Sequence, residues 1–436
     1  MTHRIKQLGV SLIELMVAMA IGLVVMLVVF QLFSVSEGTR RTSIAGSDAQ
    51  MSAAIAVTAL QDQIRNGGYG LVDRFRDLAN TPFSALGCNV VGTDVRTGTP
   101  VGVAFPLAPV VIAAGAGATA SDTITITYAD LPYPTVPTPL MQSMATTTDP
   151  SILVNNRYGI RPGDVLVLAQ ADPTPPGNVV ACRLIEATGT PTNPPNPDPN
   201  ANSMVQRGTA PYLIGTTLTS VRFNGATGIS PLPFTPSQAL TTDGAVYNLG
   251  RGPSVVQFAL ADMSPVDTIA ETLTMAQLLG SSTAAGATQP QQLVEGIVAF
   301  RAQYGVGVDT TAPADGIADQ FNPAVATVNQ AAAPGQSAWQ NPTSAANPCP
   351  PLAVGGPTGC QWGLILAVRF AVLARSNLIE RKDPVTNTCT ATPATSPELT
   401  WAGGTFDVSN IPDWQCYRYK RFEAVVPLRN MIWMPT

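Results

Sequence analysis

The sequence is nearly without histidine: the only one is His3, close to the N-terminus. That excludes a Ser-His-Asp or Cys-His triad, a histidine-ligated zinc and an H-E-x-x-H helix from the rest of the chain. Charge is scarce as well, at 12% of 436 residues, well under the usual quarter. No run of Lys or Arg exceeds two residues and the net charge is −5, so the electrostatic footprint of a nucleic-acid binder is missing. There is no phosphate-binding G-x-x-x-x-G-K-[ST] loop and no C-x-x-C pair. No carboxylate pair is singled out for acid–base work, and the chain reads as a non-enzyme with no cofactor.

What the chain does have is 39 prolines, 37 glycines and six cysteines: Cys88, Cys182, Cys349, Cys360, Cys389 and Cys416. An even set with no metal-binding spacing points to disulfides and an oxidising compartment. Six cysteines allow 15 connectivities. Closeness in sequence suggests Cys349 with Cys360 and Cys389 with Cys416, which leaves Cys88 for Cys182.

The longest apolar run, Val10 to Phe33, carries a single charge, Glu14. About 20 apolar residues in a helix span a bilayer core, so the run is long enough to cross. A carboxylate at that depth costs roughly 2.5–3.5 kcal/mol on insertion scales and is usually functional. Arg4 and Lys6 precede the run and Arg40 and Arg41 follow it, so flanking charge does not orient it. The cysteines do, by placing the bulk of the chain outside the cytoplasm.

No proline lies between Val10 and Gly67, and residues 42–65 are rich in helix formers. The helix is therefore expected to continue to Asn66, about 57 residues and roughly 85 Å long. Ile44, Met51 and Ile55 fall on one face of it, and Val57, Leu60 and Ile64 on nearly the opposite face. The second set is expected to pack on the globular domain and the first to meet other subunits or lipid. Asn66-Gly67-Gly68 is a stop signal.

Beyond Gly70 the pattern turns to strands: 101–105, 123–128, 164–169, 179–187, 217–223, 254–260, 293–304, 362–375 and 418–427. TITITY at 123–128 alternates strictly and reads as half-buried. Residues 269–279 read as a short helix. Pro- and Gly-rich loops are expected at 132–150, 171–178, 189–204, 332–358 and 390–397. One metal candidate stands out, the acidic loop 308–321 with Asp309, Asp315 and Asp319. Its spacing fails the calcium-loop pattern, and a turn is the simpler reading.

The leader MTHRIKQLG, the following Val-Ser and the LIELM run around Glu14 resemble the type IV prepilin signal. The resemblance implies cleavage by prepilin peptidase after Gly9 and N-methylation of Val10 as the new N-terminus. It makes Glu14 the acidic residue that pairs with a neighbouring subunit's terminal amine. Val10 departs from the family's usual Phe. Gly68-Tyr69-Gly70, VEGIVAFRAQYGV at 294–306, AVRFAVLARS at 367–376 and VPLRN at 426–430 resemble the PilW group of minor pilins. The implied fold is α+β, pilin-like: a long protruding N-terminal helix packed on an antiparallel β-sheet domain with long loops. The implied divisions are a leader (1–9), a transmembrane or filament-core half-helix (10–37), a globular-domain half-helix (38–67) and a disulfide-bearing β-rich domain (68–436). The implied role is pilus assembly, initiation and the tip complex, with motility and adhesion. Implied partners are other minor pilins, the major pilin and a tip adhesin. Before assembly the chain would sit in the inner membrane with its C-terminal domain outside. Two alternatives share this plan: a J-type pseudopilin of type II secretion, and a tip module that binds surfaces.

Overall fold

The computed structural model describes residues 11–71, 85–95, 101–117, 119–133, 136–141, 151–172, 178–189, 204–224, 244–262, 271–279, 290–306, 365–380 and 386–432. It also describes the short pieces 75–76, 82–83, 320–321 and 382–383. A single helix, α1 (Leu12–Asn66), runs for 55 residues without a break. At 1.5 Å per residue it is about 82 Å long. Its upper half is amphipathic by size rather than by charge. Ala49, Ala53, Ala56, Leu60 and Ile64, at spacings of three and four, are all buried. The alanines let strands approach closely, and Leu60 and Ile64 each contribute about 1.5–3 kcal/mol by burial.

The strands of the three main sheets, in chain order, are β1 (Asn89–Asp94), β2 (Val101–Pro106), β3 (Val110–Ala113), β4 (Thr123–Tyr128), β5 (Thr138–Pro139), β6 (Val165–Asp172), β7 (Asn178–Glu186), β8 (Gly244–Gly250), β9 (Ser254–Ala261), β10 (Thr272–Gln277), β11 (Gln291–Glu295), β12 (Ile297–Val306), β13 (Gln320–Phe321), β14 (Ile365–Arg375) and β15 (Tyr419–Pro427). The sheet that α1 packs on has the order β13-β12-β14-β15, all antiparallel. A five-stranded antiparallel sheet, β11-β10-β9-β4-β3, adjoins it. The third sheet, β2-β1-β7-β6-β8-β5, is antiparallel except where β1 meets β7. The architecture is thus α+β, with a mainly antiparallel domain and one parallel pair.

All three sheets and the buried face of α1 contribute to one core. Period-two alternation divides the strand residues between faces. On β6, Val165, Val167 and Ala169 enter the main core, while Leu166 and Leu168 join a second cluster with Ile152, Ile185 and Val246. On β14, Val368, Phe370 and Val372 face the main core, and Ala371 and Leu373 face a third cluster around Leu399, Trp401 and Phe406.

Four expectations change. Residues 269–279 hold a strand, β10, instead of a helix; β10 pairs with β9 on one side and β11 on the other. The helical periodicity of so short a segment yields to two ladders of hydrogen bonds. The 293–304 run is two strands in two sheets, broken at Gly296, whose φ of +80° turns the chain from β11 into β12. TITITY is covered on both faces: Thr127 is as buried as Ile124 and Ile126. Of 217–223 only Thr217–Thr219 is a strand, in a hairpin with Tyr212–Ile214. The expectations gave no strand at β1, β3 or β8, and β8 is buried along its whole length.

Candidate assembly site on the N-terminal helix

Ser11 caps α1 with extended backbone (φ −70°, ψ 144°), and its carbonyl accepts the Leu15 N–H at 3.1 Å. Glu14 lies in the first turn, where a carboxylate is favoured by the helix dipole. Its side chain is exposed, as is every residue from Ser11 to Phe33. The apolar window Leu12–Phe33 has a mean hydropathy of 2.8 and none of it is buried. Leu12, Met19, Leu23, Phe30 and Phe33 each expose more than three-fifths of their surface. Such a surface needs lipid or protein around it. Gly9 and Val10 lie outside the described residues.

The exposed face continues upward. Ile44, Met51 and Ile55 are 46%, 68% and 48% exposed, on the side of α1 away from its sheet. The opposite face, with Leu60 and Ile64, is buried in the main core and Val57 packs partly against it.

The upper end of α1 is locked by residues distant in sequence. Gly67 N–H returns to the Ile64 carbonyl, and Gly68 N–H donates to Thr127 O at 2.9 Å on the end of β4. Gly68 and Gly70 have φ of +80° and +77°. A Cβ on Gly70 would lie 2.5 Å from that of Ala129. Asn430 closes the end, its side-chain N–H group donating toward the carbonyls of Arg65, Asn66 and Gly67 at 3.4, 3.2 and 3.1 Å. The glycine-rich stretch after α1 and the VPLRN stretch, joined by bonds between residues 363 to 365 positions apart, therefore form one joint. Sequence reading singled out both stretches; it gave no sign that they touch.

Further from α1, Asp122 is fully buried and pairs with Arg301 at 3.0 Å. It also accepts N–H bonds from Ala302 and Gly115. Desolvation raises its pKa above the ordinary 3.8, against the pull of Arg301 and these bonds. Tyr304 is fully buried, and its hydroxyl accepts Ile112 N–H at 2.7 Å and lies 3.3 Å from Val110 O, joining β12 to β3. Burial pushes its hydroxyl pKa upward. These groups fasten sheets to one another.

Disulfides join Cys88 to Cys182 and Cys389 to Cys416. The first sits beside the parallel β1–β7 pair, where Cys182 is opposite Val90. The second closes the connection between β14 and β15. Cys349 and Cys360 lie outside the described residues, as do Asp309, Asp315 and Asp319 of the acidic loop. Among the described residues no group of three His, Cys, Asp or Glu is placed to hold a metal.

Residues 259–430 match the family described as Type IV Pilus-assembly protein W, and residues 4–30 match the prokaryotic N-terminal methylation motif. The first match takes in the end of β9 and all of β10 to β15, which include every strand of the sheet that carries α1, and ends on Asn430. The six-stranded sheet lies outside it. No curated protein matches the chain. Among solved structures the chain is similar to a type IV-like pilin from Thermus thermophilus, at 16% identity over 41% of this chain and 80% of that one, with a TM-score of 0.18, too low to bear on the fold. With a match to the methylation motif at the start of its helix and a match to the PilW family over the sheet that carries the other end, the chain is similar to PilW-type pilins of the type IV pilus.

Proposed function

We propose that this pilin is processed and assembled through the base of α1. Prepilin peptidase cuts after Gly9 and methylates the Val10 amine, so that residues 1–9 are a leader. A glycine before the scissile bond suits a narrow peptidase cleft. The mature chain has 21 Lys and Arg against 28 acids, a formal −7. In the inner membrane, residues 10–37 form the anchor and 38–67 carry the domain 68–436 outside. In the pilus the same anchor enters the filament. The observation that carries this reading is the uncovered apolar surface of Leu12–Phe33, interrupted only at Glu14 and near its top by Gln31. A carboxylate surrounded by apolar helices needs a partner, and a neighbouring subunit's positive amine matches it in sign and height. Such a pair selects subunit register more than it adds net affinity.

The role in the filament is that of a minor pilin, joining other minor pilins to initiate the pilus and stay at its tip, in contact with the major pilin and a tip adhesin. Mass spectrometry of the chain from a peptidase-positive host should find an N-methylated Val10 terminus; an intact Met1 terminus overturns the processing step. Glu14→Ala should be cleaved normally but enter pili at under a tenth of the wild-type level. Incorporation at wild-type level would sink the amine pairing. Cross-linking in the native envelope should recover pilus minor pilins; recovery of secretion pseudopilins instead would move the chain to a type II secretion system.

A further inference from the structure

Strand β15 is the last in the sheet that carries α1, and it is paired on one side only, with β14. Its nine pairs with β14 follow one another without a register shift. In an antiparallel pair, alternate residues bond to the partner strand and the others point their N–H and C=O away from it. Leu428 N–H donates to Leu366 O, and Ser376 N–H donates to Arg418 O. The even-numbered residues of β15 therefore bond to β14, and Arg421, Glu423, Val425 and Pro427 face the open edge. Such an edge is a template for another strand, and native edges are blunted by charge, proline or a covering loop. Here those devices stand at the two ends. Tyr417 O accepts the Thr392 hydroxyl at 2.7 Å and Arg421 N–H donates to Glu398 Oε2 at 3.0 Å, so the segment 392–398 covers the first part of the edge. At the far end Pro427 has no N–H to offer. Between them the main-chain N–H groups of Glu423 and Val425 have no partner among the described residues. The Glu423 carboxylate is already held by Ala402 N–H at 3.0 Å and by Arg421 at 3.1 Å. Val425 is 55% exposed.

The open stretch runs alongside α1, which packs on β15 and β14. Ser52 lies beside Gly296, just before β12, and Gln63 Oε1 accepts the Tyr128 hydroxyl on β4. These two mark the flank of α1 that leans away from β15. At about 100° per residue, Val57 and Gln61 fall on the other flank, over β15, and both are only partly buried. A strand laid on Glu423–Val425 would therefore run beside α1, next to the exposed face of Ile44, Met51 and Ile55. Main-chain donors and acceptors at strand spacing recognise an extended polypeptide, not a sugar or a lipid. Direction rules out a second copy of this chain. A two-fold pairing of β15 with itself is antiparallel and would point the two Leu12–Phe33 segments opposite ways, where one membrane or filament core could not take both.

We propose that the Glu423–Val425 edge accepts a short extended strand from a different pilin seated along α1, adding a fifth strand to the four-stranded sheet. The proposal rests on the pilin reading only for the class of the donor chain. The test is hydrogen exchange of the full chain, resolved to single amides by electron-transfer fragmentation. It is measured in native envelope extracts and again after partners are stripped in detergent. The Glu423 and Val425 amides should exchange roughly tenfold more slowly in the envelope, while Arg421, bonded within the chain, should keep one rate in both. Val425→Pro removes an edge donor without touching the ladder to β14, as Pro427 already does, and should lose the protection at Glu423. Val425→Ala keeps the donor and should keep the protection. Equal exchange at Glu423 in envelope and detergent, or protection unchanged in Val425→Pro, overturns the proposal. The wild-type comparison decides alone if the proline variant fails to fold. The readout needs no pilus, so failure of processing or of pilus incorporation is separately visible.

Discussion

Asn430 supplies from the far end of the chain what helix termini usually find within a few residues. The last carbonyls of α1 lack intrahelical donors, and the Asn430 amide reaches three of them. Asn430→Ala should lower stability by about 1 kcal/mol, read by chemical denaturation with tryptophan fluorescence. Asn430→Asp should cost more, because it replaces the donor with a negative charge at the negative end of the helix dipole. Asp164 offers a test through pH. Burial raises its pKa above the ordinary 3.8, so the folded chain holds this proton more tightly than the unfolded chain. Its contribution to stability is full below the unfolded value and is lost as pH rises through the raised folded value. Asp164→Asn keeps an acceptor for Arg161 N–H and Asn248, and thermal melts from pH 3 upward should show a shallower fall than the wild type. Asp122, raised for the same reason, leaves a residual slope of the same sign.

At the scale of elements, α1 separates into faces with different consequences. Leu60→Ala empties a site in the main core and should cost about 2–5 kcal/mol. Met51→Ser removes only exposed surface and should change stability by less than about 0.5 kcal/mol. Its effect should appear instead as reduced recovery in sheared pili, because Ile44, Met51 and Ile55 continue the exposed side of the helix upward. Equal recovery of Met51→Ser and wild type would restrict the assembly surface to the region below Ile44. The helix was legible because its periodicity and lack of proline are local properties. β14 was legible as a strand from its Val, Ile and Phe content, although its length would fit a helix. β10 was misread because Leu273, Met275 and Ala276 have ordinary helical propensity, and the decisive partners β9 and β11 lie elsewhere in the sequence.

At the scale of the whole molecule, three sheets share one core but are not equally fastened. The Cys88–Cys182 bridge closes 94 residues and ties the residue just before β1 to β7, beside the parallel pair. The Cys389–Cys416 bridge closes 27 within the connection from β14 to β15. In the loop-closure account removal costs roughly 3–5 kcal/mol, more for the longer loop. Cys88→Ser with Cys182→Ser should therefore lower the melting temperature more than Cys389→Ser with Cys416→Ser. The family match covers the sheet under α1 and leaves the six-stranded sheet outside it.

The sequence by itself determined the apolar helix, its single carboxylate, the polar stretch before it and the near absence of histidine. Each of these depends on residue type and spacing within a few turns. Tertiary structure alone decided that Asn430 closes α1, that β1 and β7 run parallel, and that Asp122 meets Arg301. Those contacts join residues tens to hundreds of positions apart. They are selected by which faces must be buried together, a choice made by the whole core and written in no single stretch of chain.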